Sequence, residues 1–149
     1  MSKIDLATRR IVRTVDFPAG SKPYMLRVTP DGRNVWVQTA GVNTNVVLDA
    51  ESMETLHVEP TGRGPVQSAF GPIDGAFGLV TQLDESFVVV LDRTTGREVR
   101  RIDVGGPQAN ASFSPDGAAA SVTAPSRDEV VAIDMAELAV IGRIAVGQE

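Results

Sequence analysis

A period of about 42 residues constrains the fold of this chain more than any other feature of its sequence. Three prolines that open the units stand 42 residues apart: Pro23, Pro65 and Pro107. Three acids that each close an apolar run are spaced by 43 and 42 residues: Asp49, Asp92 and Asp134. Self-similarity at a fixed period of roughly 20–50 residues is typical of repeat proteins, in which like units stack on one another. The chain is therefore predicted to be a short array of equivalent units.

One turn motif marks each unit. Residues 113–117 read Phe-Ser-Pro-Asp-Gly, and the motif recurs at 28–32 and, with one inserted residue, at 70–75. Proline presets φ at the second turn position, aspartate supports the bend by hydrogen bonding, and glycine accepts a positive φ. The segments on both sides of each turn are rich in apolar and β-branched residues, which favour strands. Four strands fit into each period.

A unit of four strands repeated roughly every 40–45 residues is typical of a β-propeller blade, because one small sheet cannot bury both of its faces alone. The first segment, 4–15, matches only the third and fourth strands of a unit. The predicted fold is all-β, a β-propeller of four-stranded antiparallel blades with about three and a half blades present. The predicted divisions are 1–22 for the half blade and 23–64, 65–106 and 107–149 for the complete blades.

The second and third strands of the units share a further pattern. Residues 34–39 read NVWVQT and are followed by NVVLD at 45–49, while LVTQ at 79–82 and SVTA at 121–124 occupy the second-strand position later. This pattern resembles the YVTN-type propeller repeat of YncE-like and surface-layer-type seven-bladed proteins. The resemblance implies a non-catalytic binding or interaction scaffold. Related propellers supply the alternative, a propeller enzyme or cofactor protein similar to lactonases, d1-haem domains or amine dehydrogenases.

The number of units raises the question of how the ring is completed. Closed propellers have roughly four to eight blades, and an open stack leaves two exposed apolar faces. We expect a segment of a larger propeller, with homodimerisation as the main alternative and a naturally short open array as the third. The partner predicted on this basis is a protein, or a second copy, bound through exposed blade faces.

Composition limits the class of protein further. The chain has 149 residues, 42% hydrophobic and 22% charged, which is ordinary for a globular protein, and its zero cysteines exclude disulfides and thiolate metal sites. The longest apolar runs are strand-sized, so no membrane span is expected. The N-terminus lacks the pattern of a secretory signal. We expect a cytoplasmic protein if this is the native start, and an extracytoplasmic one if the chain is part of a secreted propeller.

Charge is unevenly distributed along the chain. Residues 1–33 hold seven Lys or Arg against three Asp or Glu, whereas the remainder holds seven against sixteen. Arg9, Arg10 and Arg13 lie in a segment with the pattern of a strand, so they are predicted to form a solvated outer edge. No aromatic residues alternate with them as stacking platforms, which disfavours nucleic-acid binding.

Recurrent polar residues are interpreted as scaffold. The acids at Asp5, Asp49, Asp92 and Asp134, and those of the proline turns at Asp31, Asp74 and Asp116, are predicted to accept backbone hydrogen bonds in turns. The single histidine, His57, is predicted to be structural, since one histidine without partners makes neither a catalytic triad nor a histidine metal site. No catalytic residue is predicted. Trp36 is predicted to stack between blades.

Binding residues are sought where the repeats differ, in the loops between second and third strands and in the links between units, which share one face in propellers. The candidate ligand-binding residues are Asn43, Asn45, Arg63, Asp84, Gln108, Asn110 and Arg127. A small molecule near the propeller axis would contact both sets. No loop carries more than two carboxylates or a calcium-loop series, so neither a metal nor another cofactor is predicted.

Overall fold

The computed structural model describes residues 1–147 as four antiparallel sheets in sequence. The half blade holds β1 (Ser2–Asp5) and β2 (Arg10–Thr14). Blade 1 holds β3 (Pro23–Val28), β4 (Asn34–Thr39), β5 (Thr44–Asp49) and β6 (Thr55–Pro60). Blade 2 holds β7 (Pro65–Phe70), β8 (Phe77–Gln82), β9 (Phe87–Asp92) and β10 (Glu98–Asp103). Blade 3 holds β11 (Ala111–Phe113), β12 (Ala119–Ala124), β13 (Glu129–Asp134) and β14 (Ala139–Ala145).

Each complete blade is a meander in which every strand pairs with the next. The predicted all-β propeller fold with three and a half blades is therefore confirmed. The divisions between blades, at residues 22, 64 and 106, stay a prediction. The range 107–149 also includes Gln148 and Glu149, which lie outside the described residues. Within the described part, one turn of 3-10 helix at Pro125–Arg127 is the sole helical element, and no helix is long and apolar enough to cross a membrane.

The core consists of layers between successive sheets, because neighbouring side chains of a strand point to opposite faces. In β4, Val35 and Val37 face the half blade, whereas Trp36 faces blade 2. Blade 2 is covered on both faces: Val88 and Val90 pack toward blade 3, and their neighbours pack toward blade 1. All four residues of the run 88–91 are fully buried.

Trp36 forms the contact between blades 1 and 2, as predicted. Its ring meets that of Phe70 edge-on, with ring centroids 4.8 Å apart and planes at 76°. It also lies over Gly78 of β8, where the absence of a side chain leaves room for the indole. Aromatic pairs favour this T-shaped arrangement.

The acids that follow the third strands serve as turn acceptors, as predicted. One carboxylate oxygen of each acid accepts backbone N–H groups from residues two or three positions further along the chain. The four accepting acids are Asp5, Asp49, Asp92 and Asp134. The backbone hydrogen bond from Ser52 is the main cause that lowers the pKa of Asp49 below its ordinary value. These recurrent carboxylates therefore stabilise the connection between the third and fourth strands.

The proline turns divide into two kinds. Asp31 accepts the Thr29 hydroxyl at 2.6 Å, and Asp116 accepts the Ser114 hydroxyl at 2.6 Å, while each also accepts the backbone N–H two residues on. For Asp74 the predicted role is wrong, because its carboxylate accepts no hydrogen bond from the described residues. Gly71 stands where the other turns have a hydroxyl side chain, so the acceptor has no donor opposite it.

His57 has one carboxylate partner, which the sequence did not lead us to expect, although its structural role was predicted. Its Nε2 lies 2.5 Å from Oε2 of Glu59, two residues along the same strand, and both side chains are largely buried. The imidazole also lies beside Gly96 of blade 2. The pair therefore belongs to the contact between the outer strands of two blades.

Candidate functional site

Loops and interblade links lie side by side at one end of the array, which we call the loop face and define by residues 40–43, 61–64, 83–86, 104–110 and 125–128. The Asn43 carbonyl accepts Thr61 N–H at 3.1 Å, and its side-chain Oδ1 accepts Gly64 N–H at 3.2 Å. Gly64 in turn accepts Leu83 N–H at 2.8 Å. The predicted meeting of loops and links on one face is confirmed.

Arg63 is the most exposed of the candidate side chains with partners on this face. Its Nε donates to Glu85 Oε1 at 3.1 Å, its backbone N–H donates to the same oxygen at 3.2 Å, and Nη2 donates to the Asp84 carbonyl at 3.1 Å. The backbone hydrogen bond is the main cause that lowers the pKa of Glu85, with the guanidinium second. The Asp84 carboxylate lies beside Gly64. Arg63 and Asp84 thus lie together.

Gln108 acts within the scaffold. Its side chain is fully buried, and its Oε1 accepts Gln82 N–H at 3.1 Å while its Nε2 donates to the Glu85 carbonyl at 2.8 Å. Its backbone N–H donates to the Gln82 carbonyl at 2.8 Å. These bonds attach the segment just before β11 to blade 2. Strand pairing does not do so there, because β11 begins only at Ala111.

The remaining candidates lie apart from one another. Asn45 is fully buried between blades 1 and 2 and accepts Gln38 Nε2 at 2.8 Å. Asn110 is exposed, and its backbone N–H donates to Thr123 Oγ1 at 3.0 Å. Arg127 Nε donates to Glu129 Oε2 at 3.2 Å, and this bond is the main cause of a lowered Glu129 pKa.

The loop face therefore holds Asn43, Arg63 and Asp84 in mutual contact with Gln108 beneath them, and Asn110 and Arg127 further along, with Arg127 beside Gly105 and Gly106. Of the seven candidates Asn45 alone lies off this face, buried between blades 1 and 2. Most of the polar atoms on this face already bind one another. Among the described residues, no group of three or more His, Cys, Asp or Glu side chains could hold a metal ion. The binding role of the candidates stays a prediction.

A second surface, missed by the choice of loop residues, lies at the half-blade end. All six residues of β3 are exposed, with 66% of Tyr24, 47% of Leu26 and 52% of Val28 accessible, and Ile4 of β1 is 55% accessible. We call the surface formed by Leu26 and Val28 the open end. The half blade covers the outer part of blade 1 but leaves its inner strand bare. The incomplete first unit was the sequence signal for this surface.

A cavity of about 210 Å³ continues the open end inward. It is lined by Met1, Lys3, Leu26, Val28, Val35 and Met53. The same surface runs into the core layer between the half blade and blade 1, to which Met1, Val35 and Met53 also belong. The cavity is thus an extension of a packed apolar layer that the half blade only partly fills.

A cleft of about 300 Å³ lies between the inner strands of the three complete blades. It is lined by Arg27, Val28, Phe70, Ser112 and Phe113, among others. The Arg27 guanidinium and the Ser112 hydroxyl could bind an anionic molecule, and the rings of Phe70 and Phe113 could stack on a small planar one. The sequence predicted small-molecule binding near the axis through the loops and links, and none of the seven candidate residues lines this cleft.

Comparisons with known proteins identify the fold. No family model matches the chain, and no curated protein matches its sequence. Its structure is similar to a hydrazine synthase of Kuenenia stuttgartiensis, with a TM-score of 0.81 and 23% identity over 93% of this chain and 40% of that one. It is similar to the dihydro-heme d1 dehydrogenase NirN in complex with DHE, with a TM-score of 0.69 and 17% identity over 82% and 28%.

A third similar structure is that of U3-55K, with a TM-score of 0.70 and 17% identity over 83% of this chain and 39% of that one. These structural neighbours are β-propeller proteins, which supports the propeller fold. The chain spans less than half the length of each of these three proteins. At such identities the similarity establishes the fold alone.

Proposed function

We propose that this chain is a YVTN-type propeller segment that acts as a non-catalytic protein-binding scaffold, with the open end as its contact surface. The main observation in support is that all of β3, the inner strand of blade 1, is exposed, including its apolar side chains. The half blade beside it has no inner strands among the described residues. Exposed apolar patches on soluble proteins mark interaction surfaces. The loop face offers fewer free groups, because its polar side chains bind one another.

The edge of β1 adds backbone groups to this surface. Its one partner among the described strands is β2, with Lys3 opposite Arg13 and Asp5 opposite Arg10, so the other edge is unpaired. Unpaired strand edges bind extended segments of other chains by adding a strand to the sheet. Such a segment would also cover Leu26 and Val28. A protein partner, a second copy or a further segment of a larger propeller could supply it.

The mass of the particle in solution at several concentrations tests this function. We expect association that grows with concentration and that Leu26→Ser with Val28→Ser removes, because both side chains are already about half exposed and contribute little to the core. Val99→Ser is the matched control, since Val99 is 47% exposed on β10 of blade 2, the blade that is covered on both faces. A monomer at all concentrations, or equal loss in the control, contradicts the open end as the contact surface.

A second candidate function is small-molecule or cofactor binding at the axis, in a lactonase-like, d1-haem or amine-dehydrogenase type of propeller. The cleft between β3, β7 and β11, with Arg27 beside Phe70 and Phe113, favours it. Absorbance titration with haem and an assay of lactone hydrolysis test it. Tight haem binding or lactone turnover, lost in Arg27→Ala, would replace the scaffold proposal with this one.

A further inference from the structure

A polar layer lies inside the contact between blades 1 and 2. Gln38 Nε2 donates to Asn45 Oδ1 at 2.8 Å within blade 1 and to Ser68 Oγ at 2.6 Å across to blade 2. Gln82 lies two residues beyond Val80 on β8, so it points to the same face, toward blade 1. All four of these polar side chains are fully buried.

The propeller fold does not require this polarity. The equivalent positions in the contact between blades 2 and 3 are occupied by Thr81, Val88, Ala111 and Ala124. Three of those four side chains are apolar, and Thr81 bonds to backbone carbonyls of Gln67 and Ala109. The two contacts therefore differ at these positions, where the contact between blades 1 and 2 carries three amide side chains. The contact between blades 2 and 3 has its buried amides, Gln67 and Gln108, at other positions, and both bond to backbone groups of the neighbouring blade.

Four side-chain atoms in this contact have no hydrogen-bond partner among residues 1–147: Gln38 Oε1, Asn45 Nδ2, Gln82 Oε1 and Trp36 Nε1. Leaving a buried polar atom without any partner costs on the order of 1–3 kcal/mol. Rotating the Gln38 and Asn45 amides by 180° exchanges the bonded atoms and still leaves one atom of each without a protein partner. The residues themselves therefore cannot satisfy the layer.

The unpartnered atoms define the chemistry of a ligand. Two of them, the Asn45 and Trp36 N–H groups, donate, while the Gln38 and Gln82 oxygens accept. A bare cation would be repelled by the donors, and an anion by the acceptors. A neutral molecule that both donates and accepts satisfies both kinds, and water is the smallest such molecule. Buried waters typically make about three hydrogen bonds to buried polar groups of this kind.

We propose that blades 1 and 2 enclose an internal water site formed by Gln38, Asn45 and Gln82, with Trp36 Nε1 beside it. The bound water joins β4 and β5 of one blade to β8 of the next. Together with the direct bond from Gln38 to Ser68, it fixes how these two blades sit against each other. The contact between blades 2 and 3 relies on apolar packing at the same positions.

Replacement of Gln82 by methionine tests the site, because methionine has nearly the same shape but no amide. If water bridges the blades, Gln82→Met leaves that water and its partners less satisfied, and the melting temperature falls by about 3 °C or more. If the Gln82 oxygen has no partner at all, removal of the buried amide raises the melting temperature. Asn45→Val, which installs the residue found at the equivalent Val88, is expected to act in the same direction as Gln82→Met.

One further measurement, with a control variant, separates the outcomes. Oxygen-17 relaxation dispersion of the unaltered chain should detect a long-lived internal water that disappears in Asn45→Val. The control Thr81→Val, in the other interblade contact, should leave that signal unchanged. Higher melting temperatures for both Gln82→Met and Asn45→Val, or no long-lived water in the unaltered chain, would overturn the proposal. If both variants fail to fold, the relaxation measurement on the unaltered chain decides alone.

Discussion

The indole of Trp36 lies against the backbone of Gly78 so closely that a Cβ on this glycine would come within 2.8 Å of the ring. The same Cβ would also lie 2.7 Å from the Phe70 ring. Gly78 shows no positive φ, so its requirement for glycine is purely steric. The two aromatic rings thus occupy the space that a side chain would fill.

Gly78→Ala is expected to destabilise the chain by about 1–3 kcal/mol, because the added methyl group overpacks a fully buried contact. The measurement is the free energy of unfolding in urea. Gly142→Ala is the control: Gly142 also lies in a strand, and a Cβ there meets nothing within 4 Å. Equal losses in the two variants would contradict the described contact between blades 1 and 2.

Substitutions at two glycines with the same backbone conformation distinguish the cost of backbone strain from the cost of a steric contact. Gly32 and Gly117 both have φ of +72°, but a Cβ on Gly32 meets nothing within 4 Å, whereas one on Gly117 would lie 2.7 Å from the Pro72 ring of the preceding blade. Substitution of either by alanine strains the turn by about 1 kcal/mol. Gly117→Ala is expected to cost more than Gly32→Ala, and Gly117→Val about 1–3 kcal/mol.

Arg127→Ala serves as the control for the turn variants in the same unfolding measurement. Its guanidinium is half exposed and bonds to Glu129 on the surface, so its loss is expected to change stability by less than about 0.5 kcal/mol. A loss as large as that of Gly117→Val would show that the turns are misassigned.

Gln108→Ala is expected to destabilise the chain by about 2–4 kcal/mol, because it leaves Gln82 N–H and the Glu85 carbonyl without their partner. Asn110→Ala is the control, since Asn110 is exposed and uses its backbone groups for bonding to Thr123. Thermal unfolding of both variants is the measurement. A neutral Gln108→Ala would indicate that the side chain is available for a ligand instead.

Acid is expected to weaken the proline turns. The Thr29 hydroxyl is the main cause that lowers the pKa of Asp31, and the Ser114 hydroxyl does the same for Asp116. A carboxyl whose pKa is lower in the folded chain stabilises folding above its unfolded pKa of roughly 4, and this contribution is lost as the pH falls through the lower, folded value.

The measurement is the urea midpoint between pH 6 and pH 2, compared for the unaltered chain and two variants. Asp116→Asn should lower the midpoint at pH 6 and flatten its fall in acid, since one of the responsible carboxyls is gone. Asp74→Asn should leave both properties unchanged, because Asp74 accepts no hydrogen bond from the described residues. An identical pH dependence in Asp116→Asn would contradict the role of its turn.

The strands, the half blade and the turn acids could be predicted because each depends on local chemistry repeated at a fixed spacing. Asp134 accepts N–H groups only two and three residues away, so its sequence neighbourhood determines its role. Asp74 does not follow this pattern, because Gly71 stands at the turn position where the other two turns carry a hydroxyl donor. The partner of His57 was also within reach of the sequence, since residues two apart on one strand share a face.

Burial of polar side chains could not be predicted from one unit alone. Asn45 and Gln108 were selected as surface residues because polar residues near loops are usually exposed. Each is buried because a neighbouring blade covers it, as when Gln108 reaches Gln82 on the preceding sheet. Tyr24 to Val28 has the composition of a core strand and is nonetheless exposed, because the half blade does not reach it. Both outcomes depend on contacts between units.

The complete coverage of blade 2 has a consequence for how the chain opens. In stacked repeat proteins, stability is roughly the sum of each unit and its contacts with the units next to it. The run Val88 to Leu91 has a neighbour on both sides, whereas β2 and β14 are largely exposed. Amide protons of β9 should therefore exchange with solvent most slowly, and local unfolding should advance from both ends toward the middle of the array.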